Sequence, residues 1–193
     1  MKHLNQLIFV LPLLICIGCG HSINITPPLN TLDIESIVKI DSNVGYFISK
    51  ENFSKEVTTP GGGGDKVKYF PYKESEPALK KILSNIFKQV YSVPSLTDSQ
   101  FITSNNIKYI FTPEIETDSS SDSIFTWPPT KFSITIICDA VDENGAMIWK
   151  ETATGEGNAV FSEFKHDFSL AAKRATKNAF NILQDKIIKS EKF

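Results

Sequence analysis

The sequence has 193 residues, and its 20 Lys and Arg against 22 Asp and Glu give a formal net charge of −2. Hydrophobic residues make up 41% of it and charged residues 22%, a composition typical of a globular protein. This balance gives no support for a nucleic-acid partner, because nucleic-acid-binding domains normally carry a basic face. The length suits one domain with a short preceding segment.

The first residues have the pattern of a secretion signal. Lys2 and His3 form a short basic start, residues 7–17 form an apolar run, and Gly18 precedes Cys19. A membrane-spanning helix needs about 20 apolar residues, so this run is too short for a permanent anchor. We expect residues 1–18 to be a signal peptide that is removed.

The end of this signal, Cys16-Ile17-Gly18-Cys19, resembles the bacterial lipobox. In proteins with that motif, a diacylglyceride is joined to the cysteine and a peptidase cuts just before it. Cys16 stands where Leu is usual, and the alternative is an ordinary signal that happens to end near a cysteine. The resemblance implies that Cys19 carries acyl chains such as palmitate. With Gly20 next, it also implies an outer-membrane location with the domain facing the periplasm.

Cys138 is the cysteine left for the mature domain once Cys16 is discarded and Cys19 is modified. No intrachain disulfide is then possible, so we expect the fold to depend on its core alone. Cys138 falls on the apolar face of an alternating run, which predicts a buried thiol that is not reactive.

Residues 19–35 contain Pro27-Pro28 with several Asn and Thr and no period, which indicates a flexible tether before a single domain at 36–193. Residues 37–49 and 66–72 read as strands. Four glycines at 61–64 lack a following Gly-Lys-Ser/Thr, so a flexible loop is favoured over a phosphate-binding loop.

An amphipathic helix is predicted from about Ser75 to Pro94. Apolar residues recur there at steps of three and four: Leu79, Ile82, Leu83, Ile86, Phe87 and Val90. This stripe is expected to face the core, and a partner-binding face is the alternative. Residues 107–116 read as a strand in which Pro113 predicts an edge position or a strand end.

A hairpin is predicted around Asn144-Gly145, because strand-like runs at 131–142 and 146–155 flank this turn-forming pair. Gly155-Glu156-Gly157 is expected to loosen the end of the second strand. A final helix at 167–189 has repeated alanines, which would let it lie close to a sheet.

This order of elements predicts an α+β fold, with two layers formed by a mostly antiparallel sheet of about four to five strands and two helices packed on one face. Together with the lipobox and the Ala-rich final helix, it resembles small outer-membrane lipoproteins of the YajG type and the amino-terminal domain of TolB. Lipoprotein activators of peptidoglycan synthases and curli-secretion lipoproteins are similar at this level. The resemblance is one of architecture and implies no particular activity.

Residues 117–130 form the most unusual segment, with a polar half followed by Phe125, Trp127 and Pro128-Pro129. Aromatic residues beside prolines on a loop supply apolar area at a small entropic cost, so these four residues are the candidate partner-binding surface for an envelope protein. In the alternative, Trp127 folds back to cover a sheet edge.

Catalytic chemistry has few candidate groups. His21 and His166 remain after processing, and neither a nucleophile elbow nor a zinc-ligand cluster is present. A cluster of acids lacks calcium-loop spacing and reads as solvated: Glu114, Glu116, Asp118 and Asp122. We therefore expect no catalytic, cofactor or metal site. A hydrolase using His166, flanked by Glu163 and Asp167, is the unfavoured alternative.

The sequence thus predicts a non-enzymatic lipoprotein, held on the outer membrane by its lipid, that binds another envelope component. The alternative from a different class is a carrier or assembly factor for lipid or lipopolysaccharide. A carrier would need an apolar cavity between the sheet and the helices.

Overall fold

A computed structural model describes residues 20–34 and 38–193 of the chain. The predicted signal peptide and Cys19 lie outside these ranges. Within them, no helix combines the length and the apolar character that crossing a bilayer would require.

The described residues form eight strands, five helices and a 3-10 turn. The strands are β1 (Gly20–Ser22), β2 (Ile40–Tyr46), β3 (Val57–Pro60), β4 (Lys66–Tyr69), β5 (Phe87–Ser92), β6 (Ile107–Ser120), β7 (Lys131–Asp142) and β8 (Met147–Asn158). The helices are α1 (Lys50–Ser54), α2 (Pro71–Ile86), α3 (Ser99–Ser104), α4 (Phe161–Phe164) and α5 (Leu170–Ile188), and the 3-10 turn covers Leu29–Leu32.

These strands make two sheets. The larger has the order β5-β2-β6-β7-β8, with β2 parallel to β5 and β6 and the other pairs antiparallel; the smaller has the order β1-β4-β3. The predicted α+β class is confirmed. The predicted detail was too simple, because the sheet is mixed and the strands and helices are more numerous than expected. Parallel pairing arises because α2 and α3 lie in the crossovers that return the chain to the same sheet.

The hairpin of β7 and β8 forms as predicted. Gly145 has a φ of 82°, which suits glycine in the turn. Alternate residues of β7 are buried as the sequence pattern indicates: Phe132, Ile134, Ile136, Cys138 and Ala140.

The main core lies between the larger sheet and a layer made of α2 and α5. Helix α5 packs over β7 and β8, while α2 packs over β2, β5 and β6 and contacts α5. A smaller cluster under α3 covers part of the opposite face, with Val93, Ile102, Ile107 and Ile110 at its centre.

Gly155 and Gly157 do not loosen β8, contrary to our expectation. Both lie inside the strand, directly beneath α5. A Cβ atom at Gly155 would overlap the backbone of Ala175 and Ala179, and one at Gly157 would overlap the carbonyl oxygen of Ala171. The glycines and alanines thus allow the backbones of helix and strand to approach closely.

The predicted helix at 75–94 was too long and began too late. Helix α2 begins at Pro71 and ends at Ile86, and Phe87 and Val90 belong to strand β5. Pro113 lies in a strand with neighbours on both sides, but the pairing of β6 with β2 ends at Phe111. Pro113 therefore interrupts no hydrogen bond to β2.

The predicted tether is wrong for residues 20–34. Strand β1 pairs with β4, and Ile23, Ile25 and Leu32 are buried in the main core. The backbone N–H of Ile25 donates to Oε2 of Glu74 at 2.8 Å, which fixes the segment to the first turn of α2. Segment 20–34 is therefore part of the domain.

Candidate functional site

One end of the larger sheet, which we call the Gly20 end, gathers the features that bear on function. Here Ser120 is in register with Lys131, and Lys131 with Asn158. Gly20 pairs with Lys66, which pairs with Pro60. The hydroxyl of Ser119 donates to the carbonyl oxygen of Pro60 at 2.6 Å. The start of β1 therefore lies at this end of the sheet.

Polar contacts join the smaller sheet to β6 near this end. The Tyr69 hydroxyl donates to Oγ1 of Thr117 at 2.8 Å and lies 3.2 Å from Oγ1 of Thr59. The Ser119 hydroxyl oxygen lies 2.6 Å from the same Thr59 oxygen, within hydrogen-bond distance. Burial raises the pKa of Tyr69, so its hydroxyl stays protonated and can act as the donor.

The glycine run packs tightly against the loop at 121–130, where we expected a flexible loop. The Gly62 N–H donates to the carbonyl oxygen of Trp127 at 2.8 Å, and the Gly63 N–H donates to that of Ser123 at 3.1 Å. A Cβ atom at Gly62 would overlap the carbonyl oxygen of Thr126. Glycine is needed here because only a bare backbone fits against the loop.

Trp127 folds back onto the domain. Its ring stacks on that of His21, with centroids 4.2 Å apart and planes at 15°, and lies 5.0 Å from the ring of Phe168. Strand β1, which carries His21, is one of the two edge strands of the smaller sheet. This arrangement agrees with the alternative in which Trp127 covers a sheet edge.

The four candidate partner-binding residues do not form one exposed surface. Pro128 and Pro129 are buried, and Trp127 is partly buried. Phe125 is 90% exposed, and its neighbour Ile124 is 75% exposed. Of the four candidates, Phe125 alone presents most of its side chain to solvent. The sequence pattern does not reveal which way the loop folds, so it could not distinguish the exposure of Phe125 from that of the other three.

Further apolar side chains are exposed at the Gly20 end. Val160 and Phe161 follow the end of β8, and the Ala159 N–H donates to the carbonyl oxygen of Thr130 at 3.0 Å. Phe168 is also exposed, and its ring lies beside that of Trp127. We call this set the apolar rim; its members are Ile124, Phe125, Val160, Phe161 and Phe168.

Glu163 fixes the backbone of the apolar rim at Val160. One carboxylate oxygen accepts from the Val160 N–H at 3.1 Å, and the other lies 2.8 Å from a guanidinium nitrogen of Arg174. The hydrogen bonds from Arg174 and Val160 lower the pKa of Glu163 to about 2. The carboxylate therefore stays ionised and keeps both contacts at neutral pH.

The acids beside His166 are committed to other partners. Glu163 binds Arg174, while Asp167 lies 2.9 Å from the Lys173 ammonium and accepts from the Ser169 N–H. Across the described ranges, no hydrogen bond or ion pair joins His166 to either acid. The geometry does not assemble the acid/base group that the hydrolase alternative requires.

The acidic residues of β6 do not converge. Glu114, Glu116 and Asp118 are exposed at alternate positions along the strand, and Asp122 pairs with Lys131 at 2.9 Å. Over the part of the chain that the structure describes, no group of three or more His, Cys, Asp or Glu is placed to hold a metal ion.

The helices pack tightly on the larger sheet at the gap beside α2. Where Tyr72, Leu79, Ile115 and Phe180 meet, the remaining gap offers about 0 Å³ to a water-sized molecule. The carrier alternative requires an apolar cavity between these layers, and at this position there is no room for an acyl chain.

The sequence pattern did not indicate that Ile124, Val160, Phe161 and Phe168 lie at the surface. The first three are apolar residues beside polar ones in segments without a strand or helix period. Apolar residues in segments whose sequence lacks a regular period were the available signal. The helix predicted at 167–189 included Phe168, but α5 begins two residues later, at Leu170.

No protein-family model matches the sequence, and no curated protein matches it. Solved structures do show similarity. A PelC dodecamer from Paraburkholderia phytofirmans is 16% identical with a TM-score of 0.37, over 74% of this chain and 91% of that one. Protein XCC0632 from Xanthomonas campestris, of the family DUF330, is 10% identical with a TM-score of 0.42, over 88% and 90%.

A third similar structure is a proposed lipoprotein from Caulobacter crescentus CB15. It is 11% identical with a TM-score of 0.38, over 82% of this chain and 90% of that one. The resemblance to the YajG type and to TolB stays a prediction.

Proposed function

We propose that this protein is a lipoprotein of the bacterial outer membrane, anchored through Cys19, whose periplasmic domain binds another component of the cell envelope. The observation that carries the proposal is the lipobox-like Cys16-Ile17-Gly18-Cys19, followed at once by a folded domain. The apolar run at residues 7–17 is long enough for a signal peptide and too short to span a bilayer.

The position of Gly20 supports a close attachment to the membrane. Cys19 is bonded to Gly20, and consecutive Cα atoms are about 3.8 Å apart. Because Gly20 already pairs with Lys66, acyl chains on Cys19 would hold the Gly20 end of the domain at the bilayer surface. No long tether would separate the lipid from the fold.

The contacts of the polar side chains favour a binding function over a catalytic one. The acids next to His166 form ion pairs with Lys173 and Arg174 of helix α5. The uncovered face of β6, β7 and β8 instead presents polar side chains in register, such as Glu116, Thr135 and Thr154. A flat polar face of this kind suits contact with another macromolecule, and we assign the envelope partner to it.

The anchor is tested on protein extracted from cells with detergent. We expect mass spectrometry to find an N-terminal peptide that begins at an acylated Cys19. The Cys19→Ala variant should lose the acyl mass, and Cys138→Ala, the matched control, should keep it. An unacylated start, or a leader that is still attached, would contradict the anchor.

The partner surface is tested by a photo-crosslinking residue placed at exposed Thr154 in intact cells. The matched control places it at Asp185, which is exposed on α5. We expect a discrete adduct with an envelope component from position 154 and none from position 185. Equal adducts at both positions, or none at 154, would reject this surface.

A further inference from the structure

The tip of the loop at 121–130 presents two adjacent apolar side chains to solvent, Ile124 at 75% and Phe125 at 90% exposure. The loop that carries them is well held. Ser123 accepts from Gly63 at its carbonyl oxygen, and Asp122 pairs with Lys131 across the base. The exposure is therefore set by the fold of the loop, and burial of both side chains would need an outside surface.

This tip lies beside the point where the chain leaves the domain towards Cys19. Trp127, two residues after Phe125, stacks on His21, and His21 follows Gly20. The glycine turn that contacts the loop also leads into Lys66, the partner of Gly20. Two independent contacts thus place the exposed tip at the Gly20 end.

The other members of the apolar rim lie at the same end. Val160 and Phe161 are 60% and 63% exposed, and they follow Ala159, whose N–H binds Thr130 at the base of the same loop. Phe168 contacts Trp127. Two separate segments therefore expose apolar side chains around the start of β1.

We infer that the apolar rim inserts into the interface of the bilayer to which Cys19 is anchored, so that the protein contacts lipid through side chains as well as acyl chains. The inference rests on the proposed lipid anchor. Transfer of aromatic and aliphatic side chains from water to this interface is favourable, and the anchor holds these side chains next to it. A lipid surface is the occupant chosen because the exposed side chains lie at the same end of the domain as the attachment point.

This contact would also set the orientation of the domain. Strand β7 runs from Lys131 at the Gly20 end to Asp142 beside the Asn144-Gly145 turn. A strand of this length extends about 40 Å, so the turn would point away from the membrane into the periplasm. The polar face of β6, β7 and β8 would then stand roughly upright and remain open to its partner.

The test uses the full lipidated protein, reconstituted in vesicles of phosphatidylethanolamine and phosphatidylglycerol with or without bromine on the acyl chains. An environment-sensitive fluorophore is attached through Phe125→Cys. The matched control is Met147→Cys, which is 59% exposed at the start of β8, next to the turn. Native Cys138 is fully buried and does not compete for the label.

We expect the label at 125 to lose about half of its fluorescence in brominated vesicles, and the label at 147 to lose none. Circular dichroism confirms that both variants are folded. A label at 125 that iodide quenches from water as strongly as the label at 147 would overturn the inference. Protection from both iodide and bromine would also overturn it, because it would indicate a protein partner or a second copy.

Mass spectrometry of the same sample separates the two proposals. If Cys19 is acylated and position 125 is not quenched by lipid, the insertion of the rim is wrong and the anchored-lipoprotein proposal stands. If Cys19 is not acylated, the proposed function fails, and the inference that depends on it fails as well.

Discussion

His21 stacks on Trp127, with ring centroids 4.2 Å apart, and this contact joins the first strand of the domain to the loop between β6 and β7. The stack places the Trp127 ring against a side chain of β1. Strand β1 has only β4 as a neighbour in its sheet, so the stack adds a contact to a strand that is paired on one side. Trp127, which the sequence indicated as part of a binding surface, thus has a structural role.

Replacing Trp127 with Ala should destabilise the protein. The substitution removes the stack on His21 and the contact with Phe168, so we expect the free energy of unfolding to fall by about 2 kcal/mol, less than for a fully buried aromatic residue. Urea denaturation followed by circular dichroism measures the change. Phe125→Ala is the matched control, since its side chain is 90% exposed. It should change stability by less than about 0.5 kcal/mol. Equal losses in the two variants would refute this division of roles.

Gly155→Ala should destabilise the protein through overlap between β8 and α5. The added Cβ meets the carbonyl oxygen of Ala175 and the backbone nitrogen of Ala179, neither of which can rotate away. Overpacking of this kind costs about 1–3 kcal/mol, and backbone contacts favour the upper part of that range. The midpoint of urea denaturation gives the measurement. Glu156→Ala, at the exposed neighbouring position, should have little effect. If Gly155→Ala is as stable as the wild type, helix and strand are farther apart than the structure indicates.

The sequence was most informative where local pattern and tertiary structure agree. Alternation along β7 and the Asn144-Gly145 pair predicted the hairpin, since the same residues that favour extended backbone also face the core. The alanine spacing likewise predicted the close approach of α5 to a sheet. Gly155 and Gly157 lie opposite these alanines on the sheet. They were expected to loosen the strand, because glycine weakens a strand in isolation.

The sequence failed where long-range packing overrides local preference. Phe87 and Val90 continue the helical spacing of α2, and no Gly or Pro occurs at residues 78–93 to mark the end of the helix. Parallel pairing with β2 determines that these residues form β5. Segment 20–34 has no period at all, and Ile25 is buried because it docks on α2, a contact that no local pattern encodes. The sequence also could not predict which side chains of the loop at 121–130 are exposed, because this depends on which way the loop folds over β1.

Tyr69→Phe should weaken the link between the two sheets. The hydroxyl donates to Thr117 and contacts Thr59, and its loss leaves buried polar groups with fewer partners. We expect a loss of about 1–2 kcal/mol in the free energy of unfolding. Thermal denaturation of this variant is compared with that of Tyr91→Phe, whose hydroxyl makes no hydrogen bond within residues 20–34 and 38–193. A larger loss in the control would show that the network is not the cause.

The contribution of Glu163 to stability should depend on pH. Its pKa is lowered in the folded protein from an ordinary value of 4.5 to about 2, chiefly by the hydrogen bond from Arg174. A lowered pKa means that the folded state favours the ionised carboxylate. The stabilisation is therefore present above about pH 4.5 and is lost as the pH falls towards 2.

The comparison is between wild type and Glu163→Gln. We expect the melting temperature of the variant to be lower at pH 6 and the difference to shrink steadily as the pH falls below about 4.5. Arg174→Met provides the control. In combination with Glu163→Gln it should add less than its separate effect, because both substitutions break the same contact. A difference between wild type and Glu163→Gln that is constant with pH would exclude the ion pair as its origin.

Cys138 should be unreactive in the folded protein. Its side chain is fully buried on β7, and burial raises the pKa of the thiol far above neutrality, so that almost no thiolate forms. At pH 8 we expect a maleimide to leave native Cys138 unmodified and to modify it once guanidinium has unfolded the protein. Phe125→Cys, tested in parallel, should react at once through its new thiol. Because reaction at 138 requires the strand to open, its rate in the native protein would report the opening of the α5 layer over β7. Rapid native modification would place Cys138 at the surface and contradict the packing of α5 on the sheet.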